Sequence, residues 1–164
     1  MTDNKIVYNF IVWSDIMSEQ LKLKNQICFK HYVISKEIIK KYRPYLEPLN
    51  LTYTGYITML ALWETDGMSV KALSNALYLD SGTLTPLLKK LENKNYINRQ
   101  RDAQDERVVM VHLTKEGKAL KKKAESIPSA LAQDVFPSKI DEVSLNEHIK
   151  ALDDVMKLLT SKSE

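Results

Sequence analysis

Residues 69–113 read SVKALSNALYLDSGTLTPLLKKLENKNYINRQRDAQDERVVMVHL, and this stretch decides the fold. Its first part predicts a helix capped by Ser69, because apolar residues follow at helical spacing. These apolar residues are Val70, Leu73 and Leu77. After a turn at residues 78–80, four leucines form one stripe of a second helix, namely Leu84, Leu87, Leu88 and Leu91. Pro86 belongs in the first turn of that helix, which therefore starts between Ser81 and Thr83.

Two runs of alternating residues follow the second helix, at 97–101 and 109–113. A charged segment, 102–107, joins them, so we expect a two-stranded hairpin. Two helices followed by a basic hairpin are the elements of a winged helix-turn-helix. The sequence therefore predicts a mainly α protein with a two-stranded β-wing that binds double-stranded DNA.

Hydroxylated side chains begin the second predicted helix, and basic side chains follow in its second half and in the hairpin. Hydroxyls suit bases or phosphates, and helix capping is the alternative reading for them. The candidate DNA-binding residues are Ser81, Thr83, Thr85, Lys89, Lys90, Arg99, Arg101 and Arg107. Near the hairpin tip, Arg107 is expected to enter a minor groove, and Asp105 is expected to hold Arg107 in place.

Long apolar periodicities flank the winged helix-turn-helix, which spans about residues 52–113. A first helix is predicted at about 20–46, and further helices at about 114–162, with a break at 133–144. Thr52 or Thr54 caps the helix that ends at Asp66-Gly67, and Thr114 caps the lysine-rich one. The flanking apolar faces need another surface, so we expect a homodimer on a pseudo-palindromic operator.

Composition excludes several classes of protein. The chain has 164 residues, a formal charge of +3, one cysteine and three scattered histidines, so neither a disulfide framework nor a metal site is expected. Gly-rich phosphate loops, nucleophile elbows and apolar runs of about 20 residues are absent from the sequence. We therefore expect a cytoplasmic protein without a cofactor or a membrane partner, and not an enzyme.

Residues 1–16 stand apart from the main predicted domain, 17–164. Their apolar stretch at 6–13 lacks a small-residue cleavage site, which argues against export. Two interpretations stay open for this extension. It is either a non-native, disordered addition upstream of a start at Met17, or a packing segment on a dimer surface.

Residues 28–128 resemble the MarR (multiple antibiotic resistance regulator) family, and within it the single-cysteine organic hydroperoxide resistance repressors. The matching segments are residues 28–29, 42–45, 51–54, 77–90, 105–107 and 113–117. The Asp-Ser-Gly-Thr-Leu-Thr-Pro run at 80–86 is specific to this branch, and the Asp-x-Arg motif at 105–107 belongs to the wider family. The resemblance implies a dimeric repressor that organic hydroperoxides release from its operator by oxidising Cys28.

Three tyrosines are expected to support Cys28. Tyr32 lies one helical turn after Cys28, and the resemblance implies that Tyr42 and Tyr53 hydrogen-bond the cysteine from the partner subunit. Phenol donors favour the reactive thiolate. Without a second cysteine, a sulfenic acid must meet a low-molecular-weight thiol, condense with a backbone nitrogen or over-oxidise. The simpler interpretations are a buried, inert cysteine and tyrosines that pack at an interface.

The sequence admits two alternative functions and disfavours a third. One is a MarR-type regulator that responds to a small aromatic ligand lodged between the flanking helices and the winged helix-turn-helix. Another is a thiol-based regulator of virulence or efflux genes, since similar regulators govern such targets. A one-cysteine peroxidase is disfavoured, because the chain lacks a thioredoxin-like pattern.

Overall fold

The structure is a computed structural model that describes residues 19–135 and 141–161. Helices dominate these residues, in agreement with the predicted mainly α class. The helices are α1 (Ile27–Leu46), α2 (Tyr53–Glu64), α3 (Val70–Leu77), α4 (Ser81–Asn93), α5 (Lys115–Ala124), α6 (Ile127–Val135) and α7 (Glu142–Thr160). The strands are β1 (Met68–Ser69), β2 (Ile97–Arg101) and β3 (Val109–Leu113). The chain divides into two compact units whose boundary falls between Tyr42 and Arg43, inside α1.

The first helix is shorter than predicted. It begins at Ile27 instead of near residue 20, because Lys22 and Gln26 have extended backbones on either side of a separate 3-10 turn, Leu23–Asn25. The apolar spacing of this region did not reveal that interruption. At its other end α1 continues through Pro44 and stops at Leu46, before the 3-10 turn Glu47–Leu49. The predicted extension at residues 1–16 lies outside the described residues.

Local capping bonds start the helices of the winged helix-turn-helix, as predicted. Thr52 Oγ1 accepts from the Gly55 N–H at 3.1 Å, and Ser69 Oγ accepts from the Ala72 N–H at 3.0 Å. Asp80 caps α4, which starts at Ser81, within the predicted interval. These bonds satisfy backbone donors that the first turn of a helix leaves open. Pro86 is the sixth residue of α4 and therefore lies in its second turn, not in the first turn as predicted.

The wing is part of a three-stranded antiparallel sheet with the order β1-β3-β2. The predicted hairpin is confirmed, with Ile97 opposite Leu113 and Arg101 opposite Val109. The sheet also contains a strand that the sequence analysis did not predict, because β1 adds Met68 opposite Val111. A strand of two residues is too short to show the alternation by which strands are recognised in sequence.

The C-terminal helices depart from the predicted outline. Thr114 caps α5, as expected, by accepting from the Gly117 N–H at 3.0 Å. The chain then forms α6 up to Val135, whereas the sequence indicated a break from residue 133. Pro128 occupies the first turn of α6, where its missing N–H costs nothing. Asp141 caps α7 ahead of the predicted residue 145, and residues 136–140 lie outside the described residues.

The core joins α2, α3, α4, α5 and the sheet. Leu62, Leu73 and Leu84 are fully buried within it. Between α2 and α5, the indole N–H of Trp63 donates to the Gly117 carbonyl at 2.8 Å. Gly117 also lies so close to the sheet that a Cβ built there overlaps the backbone oxygen of Tyr96.

Candidate nucleic-acid interface and cysteine helix

A groove of about 590 Å³ lies between α3, the start of α4 and the wing. Four predicted site residues line it, namely Ser81, Thr85, Arg99 and Arg107. Three polar residues that the sequence analysis missed also line it, namely Ser69, Lys71 and Ser74. The signal that could have found them is their position on α3 or at its cap, because α3 is the helix that precedes α4 in the helix-turn-helix. The groove therefore combines hydroxyls and cations, a combination that suits a nucleic-acid backbone.

Thr83 is exposed at the start of α4 and takes part in capping. Its backbone N–H donates to Asp80 Oδ1 at 2.9 Å, and its hydroxyl donates to Asp80 Oδ2 at 3.0 Å. These bonds hold the pKa of Asp80 below its usual value. The capping interpretation therefore applies to Thr83, although its hydroxyl oxygen keeps the capacity to accept a hydrogen bond. Lys89 and Lys90, further along α4, are exposed.

Arg99 is held by an ion pair inside the winged helix-turn-helix. Its guanidinium binds Glu92 Oε2 at 2.5 and 3.0 Å, and its backbone N–H donates to Glu92 Oε1 at 3.1 Å. The side-chain bond from Arg99 is the main cause of a lowered pKa at Glu92. This geometry favours a positioning role for Arg99, which fastens β2 to α4, over the direct DNA contact predicted from sequence.

The tip of the wing is ordered by its own acidic residues. Asp102 Oδ1 accepts from the backbone N–H groups of Gln104 and Asp105, at 2.8 and 3.2 Å. Asp105 Oδ1 in turn accepts from the Arg107 N–H at 3.0 Å, so Asp105 supports the backbone of Arg107 and not its guanidinium. Within residues 19–135 and 141–161, the Arg107 guanidinium forms no ion pair and is exposed.

Arg101 stabilises the hairpin from within. Its guanidinium donates to the Glu106 carbonyl at 2.7 Å, across the turn that joins β2 to β3. The side chain stays exposed. Of the three predicted wing arginines, Arg107 is therefore the one with a guanidinium uncommitted in the described part of the chain.

Cys28 is the second residue of α1, and it is exposed. One turn later, the Tyr32 ring is 60% exposed and lies against the Phe29 ring, with centroids 6.4 Å apart. Tyr42 follows Cys28 by 14 residues of the same helix, which separates them by about 21 Å at 1.5 Å per residue. The two residues of one chain therefore cannot meet. Tyr53 begins α2 and is half-buried.

A second cleft, of about 560 Å³, opens between α2, α5 and α6. Its wall includes Tyr56 and Trp63, whose rings meet edge to face with centroids 6.4 Å apart, together with Lys121. In the described segments, no three His, Cys, Asp or Glu side chains cluster as metal ligands would. Nor is any helix there both long and apolar enough to cross a membrane.

Comparison with known proteins identifies the family. The family model of the transcriptional regulators SarA/Rot matches residues 40–124. Over 113 residues the chain is 47% identical to the organic hydroperoxide resistance transcriptional regulator of Bacillus subtilis, covering 69% of this chain and 77% of that protein. The chain belongs to the MarR family of winged-helix transcriptional regulators. This regulator's relatives are named for transcriptional control and not for catalysis, in agreement with the prediction that the chain is not an enzyme.

Solved structures agree with the assignment of this regulator to the MarR family. A MarR transcriptional regulator from Methanosarcina mazei is 28% identical, with a TM-score of 0.64 over 77% of this chain and 95% of that one. Reduced AbfR bound to DNA is 30% identical, with a TM-score of 0.71 over 86% and 96% of the two chains. AbfR is also known overoxidised on DNA and in a disulfide form. The predicted winged-helix fold class is confirmed.

Proposed function

We propose that this protein is a homodimeric repressor that leaves its operator when an organic hydroperoxide oxidises Cys28. The observation that carries the proposal is the exposed thiol of Cys28, the only cysteine of the chain, on a helix whose apolar side chains are also exposed. The name of the Bacillus subtilis relative supports the signal. Binding to DNA implies a cytoplasmic location.

The DNA-binding surface is the groove together with the exposed side of α4 and the wing. In winged-helix docking, the N-terminal residues of the recognition helix meet base edges, so Ser81, Thr83 and Thr85 belong in the major groove. Lys89 and Lys90 belong near phosphates, and Arg107 in the adjacent minor groove. Arg99, Arg101 and Asp105 hold that surface in shape through the bonds described above. The DNA-bound structure of AbfR, which has a similar fold, supports DNA binding.

Dimerisation is supported by apolar side chains left exposed on the terminal helices. On α1 these include Ile27, Ile34 and Ile39, and on α7 they include Ile149, Leu152 and Leu159. Covering such faces is favourable by about 25 cal/mol for each Å² of apolar surface removed from water. A second copy of the chain would also supply Tyr42 and Tyr53 to Cys28, which the length of α1 forbids for Tyr42 of the same chain.

The proposed reaction transfers one oxygen atom. The Cys28 thiolate attacks the O–O bond of the hydroperoxide, an S–O bond forms, and the departing alkoxide takes a proton to become an alcohol. The resulting sulfenic acid has three outcomes: a mixed disulfide with a small thiol and loss of water, a sulfenamide with a backbone nitrogen, or over-oxidation. Each changes the mass of the chain by a different amount, so mass spectrometry of the released protein identifies the product.

A gel-shift experiment on DNA from upstream of the protein's own gene tests the proposal. Cys28→Ser is the matched control, because serine is nearly the same size and cannot form a sulfenic acid. We expect both proteins to bind equally, and cumene hydroperoxide to release only the wild type. Release of Cys28→Ser at the same dose would contradict the proposal.

The cleft lined by Tyr56, Trp63 and Lys121 supports a second candidate trigger, a small aromatic acid. Its rings suit an aromatic ligand, and its ammonium group suits a carboxylate. Release of both wild type and Cys28→Ser by salicylate would favour this trigger, and quenching of Trp63 fluorescence would report occupancy of the cleft. Sequencing the DNA fragments that the protein retains would show whether virulence or efflux genes are its targets.

A further inference from the structure

Tyr78 has a backbone conformation that tyrosine rarely adopts. Among the described residues, three other than glycine have a positive φ, namely Asn50 at 53°, Tyr78 at 52° and Asn95 at 58°. Asparagine enters the left-handed region readily, because its short polar side chain bonds locally. Tyrosine has no such compensation, so Tyr78 is the exception among the three.

The turn around Tyr78 is fixed without any help from its ring. Tyr78 ends α3 in the left-handed conformation, and the Leu79 N–H donates to the Ser74 carbonyl at 3.1 Å. The Ser74 hydroxyl donates to the Leu79 carbonyl at 2.5 Å. Glycine is the residue that this type of helix end ordinarily takes, since it has no Cβ to strain the backbone. The tyrosine side chain is therefore kept at a cost to stability.

The fold makes little use of that side chain. Tyr78 is 66% exposed, and its hydroxyl forms no hydrogen bond with any described residue. Strained residues that the core does not need are found at functional sites. The exposed neighbours of Tyr78 along the chain are Asn75, Ala76, Asp80 and Ser81, which do not form an apolar docking surface.

We propose that Tyr78 contacts the sugar–phosphate backbone of the operator at the edge of the major groove. The side chain precedes Ser81, the first residue of the recognition helix, by only three positions. Its hydroxyl donates to a phosphate oxygen, and its ring packs on a deoxyribose. This inference rests on the proposed function, in which α4 enters the major groove.

The test measures thermal stability and operator affinity together in two variants. Tyr78→Gly removes the ring and the backbone strain, so we expect a higher Tm and an operator Kd about 3- to 10-fold weaker. Tyr78→Phe removes only the hydroxyl, so we expect an unchanged Tm and a smaller loss of affinity. The salt dependence of binding should not change in either variant, because tyrosine displaces no counterion from DNA.

Asn95→Gly is the matched control. It also relieves a left-handed residue, but at the far end of α4, and we expect its operator Kd to stay within about twofold of wild type. Wild-type affinity in Tyr78→Gly would overturn the inference. So would a lower Tm, which would make the ring part of the packing, or a loss of dimer in sedimentation, which would make it a protein contact. If the wild type itself does not bind the DNA, the proposed function fails and this inference fails with it.

Discussion

Large apolar side chains are mostly buried in the middle of the chain and exposed at its two ends. The large buried apolar residues of the described chain all lie between Leu46 and Leu131. The large exposed ones lie mostly outside that range, on residues 21–39 and 143–159, with Leu60 and Tyr78 as the exceptions inside it. The winged helix-turn-helix therefore closes its own core, whereas α7 and most of α1 do not.

This difference separates two kinds of stability. Residues 46–131 hold together through contacts within one chain, and their free energy of unfolding does not depend on protein concentration. The apolar faces of α1 and α7 gain free energy only when another surface covers them, so their contribution rises with concentration. The proposed oxidation of Cys28, on α1, would act on the second kind.

The largest expected effect comes from charging the apolar face of α7. Leu152→Lys together with Met156→Lys places two cations one turn apart on that face, and we expect a folded monomer in sedimentation. Operator affinity should fall by about a hundredfold or more, because each half-site is then bound separately. Asp154→Lys changes the net charge by the same amount on the opposite face and should leave the dimer intact. If the double variant remained a dimer, the proposed contrast between the middle of the chain and its ends would be contradicted.

Truncation of leucines tests the core against the ends. Leu84 is fully buried in α4, and Leu84→Ala should lower the free energy of unfolding by about 2–4 kcal/mol, through lost burial and a residual cavity. Leu158, on α7, is 78% exposed, and Leu158→Ala should change the free energy of unfolding by less than about 0.5 kcal/mol. Urea unfolding of the two variants at one protein concentration provides the measurement. Equal losses would remove the distinction between the two regions.

The smallest effect concerns two carboxylates with lowered pKa values, one in each region. Glu92 is bound by Arg99 in the winged helix-turn-helix, whereas Glu37 meets Lys40 on the exposed surface of α1. The pKa of Glu92 is lower in the folded protein than in the unfolded chain, so the ionised carboxylate stabilises the fold. This contribution to the free energy of unfolding is complete above the unfolded pKa of about 4.3 and is lost as the pH falls through the folded pKa.

We therefore expect Glu92→Gln to lower the urea midpoint modestly at pH 7, and the difference from wild type to shrink as the pH falls below about 4.3 and through the lowered folded pKa of Glu92. Glu37→Gln is the control, and its midpoint should match wild type throughout, since exposed ion pairs contribute little. A similar pH dependence in both variants would show that the Glu92–Arg99 pair is no stronger than a surface pair.

Local features were predictable from sequence, and features that join distant segments were not. The caps at Thr52, Ser69 and Thr114 were found because a capping residue and its partner lie within three positions. Strand β1 was missed, because only its pairing with β3, more than 40 residues later, makes it a strand. The Arg99–Glu92 pair was missed for a similar reason, since the turn after α4 brings the two together. The roles of the predicted DNA-binding and cysteine-supporting residues stay predictions.

Gly117 limits how this protein can diversify. The Gly117 carbonyl accepts a hydrogen bond from the Trp63 indole N–H. Gly117 also lies so close to the Tyr96 carbonyl that even a methyl side chain would not fit. Recognition of a new operator requires new side chains on α4 and the wing, and those exposed positions are free to vary. Position 117 is not free to vary. A mutant library designed to change the operator specificity should therefore randomise the recognition helix and keep Gly117.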